Sequence, residues 1–211
     1  MVNPNAYALG ANRSCIRDLF EYGRARAAIV GAENVYDYSL GNPSIPCPKE
    51  VNDTIIQVLQ DTDSLLVHGY TTAVGDLATR EAIAKDLNER FNAGAKAENF
   101  FISNGAAPEL VAVLRALAVP GSEVLAIAPY FPEYKPFAEE AGHVFKVVPA
   151  DVPGFQINFD ALEKMINHHT QAIILNTPHH PSGVVYTRET LQKLSYLLQD
   201  KIMEYGLLNR P

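Results

Sequence analysis

The stretch from residue 176 to residue 183 reads NTPHHPSG, and it decides the predicted fold class. It follows the short apolar run AIIL at residues 172–175, and a helical pattern begins near Thr187. A β-branched run that ends in a turn rich in Pro and Gly, followed by a helix, is typical of a strand–loop–helix unit. In open α/β sheets, ligands bind at such carboxyl ends of strands. The sequence therefore predicts a functional site at this loop.

Apolar runs and helical patterns alternate through the chain before this loop. Strands are predicted at 100–103, 124–128, 144–148 and 172–175, with a further short strand at 36–40. Apolar residues at helical spacing predict helices in the segment before residue 30, at 50–60, around 83–91, at 108–117, 132–141 and 160–167, and from 187 onward. Pro108 is predicted at the first position of the helix at 108–117. Strands that alternate with helices indicate an α/β fold with a mainly parallel sheet flanked by helices.

Composition and charge limit the kinds of partner. A hydrophobic content of 47% indicates a globular chain with a substantial core. The net charge of −7 disfavours nucleic acid, because the protein would repel phosphate backbones. No apolar run approaches the ~20 residues of a membrane span, and the amino terminus lacks the order of a signal peptide, so neither a membrane partner nor secretion is predicted. Cys15 and Cys47 form no C-x-x-C spacing, which fits a reducing, cytoplasmic compartment.

Small residues follow the predicted strand at 100–103. Gly105, Ala106 and Ala107 would let a ligand approach backbone amides at the positive end of a helix dipole, which is a ready anion site. Most such turns bind nothing, so this pattern alone leaves the site open. Tyr70 lies in a loop bracketed by glycines. The sequence favours equally a loop that only connects two helices and a site in which the Tyr70 hydroxyl donates to a phosphate. The aromatic residues at 129–134 either cap the core or stack on a flat ligand. The histidines lie in adjacent pairs without a carboxylate or Cys cluster, so no metal site is predicted.

Five motifs, taken together, resemble one family. They are LGNP at 40–43, Gly69-Tyr70 with Gly75, NGAA at 104–107, PYFPEY at 129–134, and N-x-P-x-x-P-S-G at 176–183. In this order they are similar to the class I and II aminotransferases, enzymes of fold type I that depend on pyridoxal 5'-phosphate. The resemblance implies an amino-terminal arm and part of the small domain at 1–48. It also implies the first portion of the cofactor-binding large domain at 49–211, with that domain incomplete at its carboxyl end.

The resemblance implies a role for each matching residue. The amides of Ala106 and Ala107, after Gly105, would hold the cofactor phosphate, and the Tyr70 hydroxyl would reach a phosphate, typically that of a partner subunit in a homodimer. The ring of Phe131 would stack on the pyridine ring. Asn176 would shape the loop under the cofactor, and the Gly41 backbone would receive the substrate carboxylate.

The sequence departs from the family at two of these positions. The residue before PSG, usually an Asn that hydrogen-bonds the pyridine 3'-oxygen, is His180, and position 107, often a hydroxyl residue, is Ala107. An imidazole can donate the same hydrogen bond, but it is bulkier and can take up a proton, which would change the cofactor's electronics.

Three catalytic groups of the family are not expected in this chain. They are the Lys that forms the Schiff base, the carboxylate that keeps the pyridine nitrogen protonated, and the Arg that clamps the substrate carboxylate. In the family all three follow the segment at which this sequence ends. None of the eight lysines lies in the family's Ser-x-x-Lys setting.

Two classes of function therefore stay open. The first is a pyridoxal-phosphate-dependent aminotransferase, acting on an amino acid and a 2-oxo acid, of which this chain is the amino-terminal portion; a lyase of the same fold is a variant of it. The second is a catalytically inactive fragment that binds cofactor or another chain. The resemblance also implies that the strand at residue 172 lies between two strands outside this chain. It further implies that the strand at residue 100 lies beside a strand outside this chain.

Overall fold

The computed structural model describes residues 2–11, 15–41, 43 and 45–205. Two compact units are present, Met1–Ala73 and Val74–Pro211. Asn42 in the LGNP motif and the tail after Tyr205 lie outside the described residues. The predicted division between small and large domains at residue 48 stays a prediction, because compactness does not assign segments to the domains of the longer relatives.

The first unit is helical over the part that the structure describes. It contains α1 (Pro4–Ala11), α2 (Cys15–Val30), a 3-10 turn (Ala32–Asn34), α3 (Lys49–Asp61) and α4 (Ser64–His68). The helices α2 and α3 confirm the predictions from apolar spacing. The strand predicted at 36–40 is wrong: this segment has no neighbouring strand among the described residues, and Asp37 instead accepts a hydrogen bond from the Ser39 amide at 2.8 Å.

The second unit carries the parallel sheet. Its helices are α5 (Leu77–Phe91), α6 (Ala106–Leu117), α7 (Tyr134–Ala141), α8 (Phe159–Met165) and α9 (Arg188–Glu204), with a 3-10 turn at Ala97–Asn99. Its strands are β1 (Glu123–Ile127), β2 (Val144–Val148), β3 (Ala150–Asp151), β4 (Gln156–Ile157) and β5 (Thr170–Ile174). The main sheet has the order β2-β1-β5 with both pairings parallel, and β3 pairs with β4 in an antiparallel ribbon. The predicted α/β class is confirmed.

The neighbours of β5 differ from the prediction. β5 pairs with β1, so that Ala126 faces Ile174 on one side and Val147 of β2 on the other. The expectation that both neighbours of the strand at residue 172 lie outside this chain is therefore wrong. β1 is the central strand, and all five of its residues are buried.

Two predictions near α6 also need correction. Residues 100–103 form no strand, and Phe101 is 60% exposed. A strand requires a neighbouring strand, and none pairs with this segment among the described residues. Its Phe100 amide donates to the Ala97 carbonyl at 3.2 Å, and its Ile102 amide donates to the Val74 carbonyl at 3.1 Å. Pro108 is the third residue of α6, not the first, because the helix begins at Ala106. The first four amides of a helix have no intrahelical acceptor, so a proline is tolerated there too.

The core lies on both faces of the sheet because successive residues of β1 point to opposite sides. Val124 packs with Leu114 of α6 and Ala138 of α7. The other face forms a larger cluster with residues from the helices α8 and α9, and its buried members are Leu125, Ile127, Val148, Ile157, Leu162, Ile166, Tyr186 and Leu194. The sheet is thereby held between two helical layers, and the ends of its strands remain accessible for a site.

Candidate functional site

The loops that follow β1 and β5 meet at the carboxyl end of the sheet. β1 leads through a cis Ala128-Pro129 bond to Phe131, and β5 leads into the loop of residues 176–183. Because these parallel strands are neighbours, their carboxyl ends lie at the same edge. The rings of Phe131 and His180 are in contact, with centroids 5.0 Å apart and an interplanar angle of 65°. Two predicted site residues that are 49 positions apart in the sequence are thus brought together.

The loop of residues 176–183 is folded back on itself by hydrogen bonds. The Asn176 side-chain oxygen accepts from the His180 amide at 2.9 Å. The His179 amide donates to the Val184 carbonyl at 2.8 Å, and the Gly183 amide donates to the His179 carbonyl at 2.6 Å. Gly183 has a φ of 73°, which favours glycine. Asn176 therefore shapes the loop; its cofactor contact stays a prediction.

The two adjacent histidines have opposite environments. His180 is exposed, whereas His179 is only 6% exposed. The His179 Nδ1 atom lies 2.8 Å from the Ser182 hydroxyl oxygen. Burial lowers the pKa of His179, the Ile127 backbone opposes this, and the nearby His180 lowers the pKa further. His179 is therefore held as the neutral imidazole.

The ring of Phe131 has only edge-to-face neighbours among the ring contacts of the described residues. Besides His180, Tyr134 approaches it with a centroid distance of 5.5 Å and an angle of 76°. Neither ring lies flat on Phe131, which is half-buried. Burial raises the pKa of the Tyr134 hydroxyl. A flat ligand could stack on the Phe131 ring without displacing a stacked neighbour.

The amino terminus of α6 presents the predicted anion site. Gly105 precedes the helix with a φ of 110° and provides no side-chain cap, and no atom lies within 4 Å of where its Cβ would be. Ala106 and Ala107 are exposed at the positive end of the helix dipole. Ala107 and Pro108 line a groove with Phe137 of α7, the helix that follows Phe131. The geometry suits a phosphate, although its use stays a prediction.

An arginine that the sequence did not single out joins α5 to the segment that precedes α6. Arg80 on α5 donates from Nη1 to the Ala97 carbonyl at 3.0 Å and from Nε to the Gly75 carbonyl at 3.4 Å. Gly75 is buried with a φ of 91°, and a Cβ there would lie 2.6 Å from the Ile102 Cβ. In sequence Arg80 looks like one of several charges on a helix surface, because only the packing of distant segments reveals its partners. His179 was missed for the same reason.

Gly41 and Tyr70 belong to the first unit. Both are exposed, and no atom lies within 4 Å of a Cβ built on Gly41. Their assignments stay predictions. No group of three or more His, Cys, Asp or Glu side chains within 2–11, 15–41, 43 and 45–205 could hold a metal ion. None of the helices that the structure describes is long and apolar enough to cross a membrane.

Comparison with known proteins relates this geometry to one family. The sequence model described as "Aminotransferase class I and II" matches residues 32–203. The aspartate aminotransferase of Thermotoga maritima is 31% identical over 179 residues, which are 84% of this chain and 46% of that protein. A probable N-succinyldiaminopimelate aminotransferase of Mycobacterium tuberculosis is 31% identical over 174 residues, which are 81% of this chain and 42% of that protein.

A solved structure gives the same result for the fold. An aminotransferase from Eubacterium rectale is 54% identical, with a TM-score of 0.94 over 98% of this chain and 52% of that chain. This chain spans about half the length of the curated relatives that it matches. The match covers well over half of the residues here, and the order of motifs agrees with it. The chain belongs to the class I and II aminotransferase family, whose members are pyridoxal-phosphate enzymes.

Proposed function

We propose that this chain is the amino-terminal portion of a pyridoxal-phosphate-dependent aminotransferase, which transfers an amino group between an amino acid and a 2-oxo acid. The observation that carries the proposal is the contact of the Phe131 and His180 rings at the carboxyl edge of the sheet. When bound, pyridoxal phosphate supplies the electron sink for this reaction.

The residues present fit the cofactor. The amides of Ala106 and Ala107 bind the phosphate, because first-turn amides have no intrahelical acceptor and the open space beside Gly105 leaves room for it. Phe131 supports the pyridine ring from one side. The exposed His180 imidazole hydrogen-bonds the 3'-oxygen, and Asn176 holds the His180 backbone in place. Gly41 receives the substrate carboxylate through its backbone.

The proposal extends to assembly and location. Tyr70, whose side chain is fully exposed, donates its hydroxyl to the phosphate of a second subunit in a homodimer. The protein acts in the cytoplasm, where exposed cysteines such as Cys15 and Cys47 stay reduced.

The second candidate, a chain that binds cofactor without turning it over, is favoured by the surroundings of the lysines. Six of the eight form ion pairs with carboxylates, and Lys193 lies over the Phe159 ring at 4.2 Å; the six are Lys49, Lys85, Lys96, Lys135, Lys146 and Lys201. A hydrogen bond to Glu204 raises the pKa of Lys201. These contacts set no one lysine apart from the others, so this chain alone attaches the cofactor to no particular lysine.

A titration with pyridoxal phosphate tests the cofactor site. Ala106→Pro removes one amide donor at the first helical position, which proline tolerates, and we expect about tenfold weaker binding for the loss of a hydrogen bond to a charged group. Phe131→Ala should weaken binding about fivefold through lost stacking. The matched controls are Leu77→Pro, at the first position of α5, and Phe91→Ala, another exposed ring.

Unchanged affinity in both site variants would mean that the site lies elsewhere. Borohydride reduction followed by peptide mapping then separates the two candidates. Scattered weak labelling of surface lysines is the result expected for this chain alone, and stoichiometric labelling of one lysine would contradict it.

A further inference from the structure

We propose that Arg80 is a positioning residue that holds the segment of residues 97–105 on α5 and thereby fixes the start of α6. The proposal rests on the proposed function only where it concerns phosphate, which the first-turn amides of α6 would bind. The attachment of the segment to α5 is a property of the chain itself, and it can be measured without any ligand.

The guanidinium of Arg80 joins two stretches of backbone that are distant in the sequence. Its Nη1 atom donates to the Ala97 carbonyl at 3.0 Å, and its Nε atom donates to the Gly75 carbonyl at 3.4 Å. The planar fork of a guanidinium suits two such acceptors, whereas a lysine ammonium is a flexible point charge. The partly buried Arg80 therefore ties the turn before α5 to the 3-10 turn before α6.

A second contact lies five residues further along the same segment. The Ile102 amide donates to the Val74 carbonyl at 3.1 Å. Gly75 makes this close approach possible, because a Cβ there would lie 2.6 Å from the Ile102 Cβ. The turn at Val74 and Gly75 is thus bonded to Ile102 directly and to Ala97 through Arg80. With the Ile102 contact alone the segment could pivot, and the contact at Ala97 sets its direction.

The chain between these two contacts is short and internally bonded. The Phe100 amide donates to the Ala97 carbonyl at 3.2 Å, and the Asn99 side-chain oxygen accepts from the Lys96 amide at 2.8 Å. Because the turn is bonded in this way, a shift at Ala97 moves Ile102 with it.

Ile102 in turn lies close to the start of α6. Only three residues separate it from Ala106, the first residue of the helix. The Ser103 hydroxyl donates to the Gly105 carbonyl at 3.2 Å within this connection. The first three residues of α6 are exposed, so this connection rather than core packing holds them. Loss of Arg80 should therefore let the first turn of α6 move relative to α5.

α5 also offers a matched control, because a second side chain on it bonds to the chain just before this segment. The Asn88 Nδ2 atom donates to the Ala95 carbonyl at 2.8 Å, and its Oδ1 atom accepts from the Ala95 amide at 2.7 Å. Asn88 thus makes two side-chain bonds to the backbone, as Arg80 does, but further from α6. Its removal tests whether any loosening of this part of the chain from α5 has the same effect.

The experiment compares Arg80→Met, Arg80→Lys and Asn88→Ala in the full chain. Amide hydrogen exchange of Ile102 is measured without ligand, because its rate reports local opening of the segment. Inorganic phosphate and pyridoxal phosphate are then titrated separately, and the amide resonances of Ala106 and Ala107 are followed in each titration.

In Arg80→Met we expect Ile102 exchange to become about tenfold faster and both affinities to fall about fivefold, the scale of one or two hydrogen bonds. Arg80→Lys keeps the charge but not the fork, so it should restore only part of each quantity. Asn88→Ala should speed exchange at Ala95 and leave Ile102 exchange and both affinities unchanged.

Three results would overturn the proposal. The first is unchanged Ile102 exchange in Arg80→Met. The second is faster Ile102 exchange in Asn88→Ala, because the effect would then be general to α5. The third is full recovery of phosphate affinity in Arg80→Lys while Ile102 exchange stays fast, because the charge alone would then account for binding. Faster Ile102 exchange in Arg80→Met with unchanged phosphate affinity would also contradict a role in fixing the first turn.

Failure of the proposed function can be told apart from failure of this proposal. If phosphate shifts neither amide in the unmodified chain, the proposed function fails, and Ile102 exchange still decides the positioning role. Amide exchange of Leu125 in β1 reports whether each variant is folded. If Arg80→Met is not folded, Arg80→Lys decides, and an Ile102 exchange rate equal to that of the unmodified chain would overturn the proposal.

Discussion

A buried histidine bonded to a serine hydroxyl lies near each end of β1, and the surroundings of the two differ. At the amino end, His143 bonds to Ser122 and to the Leu114 carbonyl. At the carboxyl end, the His179 Nδ1 atom lies 2.8 Å from the Ser182 hydroxyl oxygen. Both imidazoles are buried, and the His143 ring also joins Ser122 to the backbone of α6.

What surrounds each histidine differs. At the amino end, Glu123 accepts from Lys146 at 2.6 Å and from Asn167 at 2.8 Å, so the polar groups there are paired with one another. At the carboxyl end, the exposed His180 ring faces Phe131, and the nearby Tyr186 hydroxyl is buried without a partner among the described residues. The amino end is organised for stability, whereas the carboxyl end leaves groups available to a ligand.

A matched pair of serine substitutions should give the largest difference between the ends. Ser122→Ala leaves His143 Nδ1 and the Val119 amide without their buried partner, so we expect a loss of about 2 kcal/mol. Ser182→Ala should cost about 0.5 kcal/mol, because Ser182 is only half-buried and water can replace it. Amide exchange of Leu125 and Ala126 measures the opening free energy of β1 in each case. Equal losses would show that the two ends are energetically alike.

The two ends of β1 should lose stability in different pH ranges. Burial lowers the pKa of His179 below the ordinary 6.5. Burial opposes a low pKa at Glu123, but hydrogen bonds from Lys146 and Asn167 prevail and lower it below 4.5. In both cases the unfolded chain binds more protons below the ordinary value, so stability is present above that value and falls as the pH falls.

The loss at the carboxyl end therefore begins just below pH 6.5, and the loss at the amino end begins below 4.5. Urea unfolding midpoints as a function of pH measure both. In His179→Gln, the urea midpoint should depend less on pH in the range just below pH 6.5. In Glu123→Gln, it should depend less on pH only below pH 4.5. A His179→Gln profile that still falls between pH 6.5 and pH 5 as steeply as that of the unmodified chain would contradict this assignment.

The smallest effect is expected at Tyr186. Its hydroxyl is buried without a partner in the described part of the chain, so Tyr186→Phe should leave stability unchanged or raise it by up to about 1 kcal/mol. Tyr205→Phe is the control, because the Tyr205 hydroxyl donates to the Ile166 carbonyl at 3.3 Å and its loss should cost about 0.5 kcal/mol. A clear destabilisation by Tyr186→Phe would reveal a bound water or another acceptor.

Much of the second unit was predictable from local patterns. The apolar runs that became β1, β2 and β5 and the helical spacing that became α5 through α9 report burial on one side or both sides of an element. The motif order alone pointed to the family. Within the site, Phe131 and His180 were identified from their positions in motifs before any contact between them was known.

Partners that are distant in the sequence were decided only by the tertiary structure. Residues 100–103 have the composition of a strand, yet pairing depends on a neighbour that no local pattern specifies, and they remain unpaired among the described residues. β5 pairs with β1, contrary to the prediction that both of its neighbours lie outside this chain.

The same distinction holds within the site. Adjacent histidines cannot be told apart in the sequence. The His179 ring is buried beside the Tyr186 ring, with centroids 5.8 Å apart, whereas His180 is exposed. Sequence by itself determined which segments are strands or helices and which motifs they carry, because steric preference and apolar periodicity act between near neighbours. Packing decided which side chains became anchors and which stayed exposed, because hydrogen bonds and burial join residues that only the folded chain brings together.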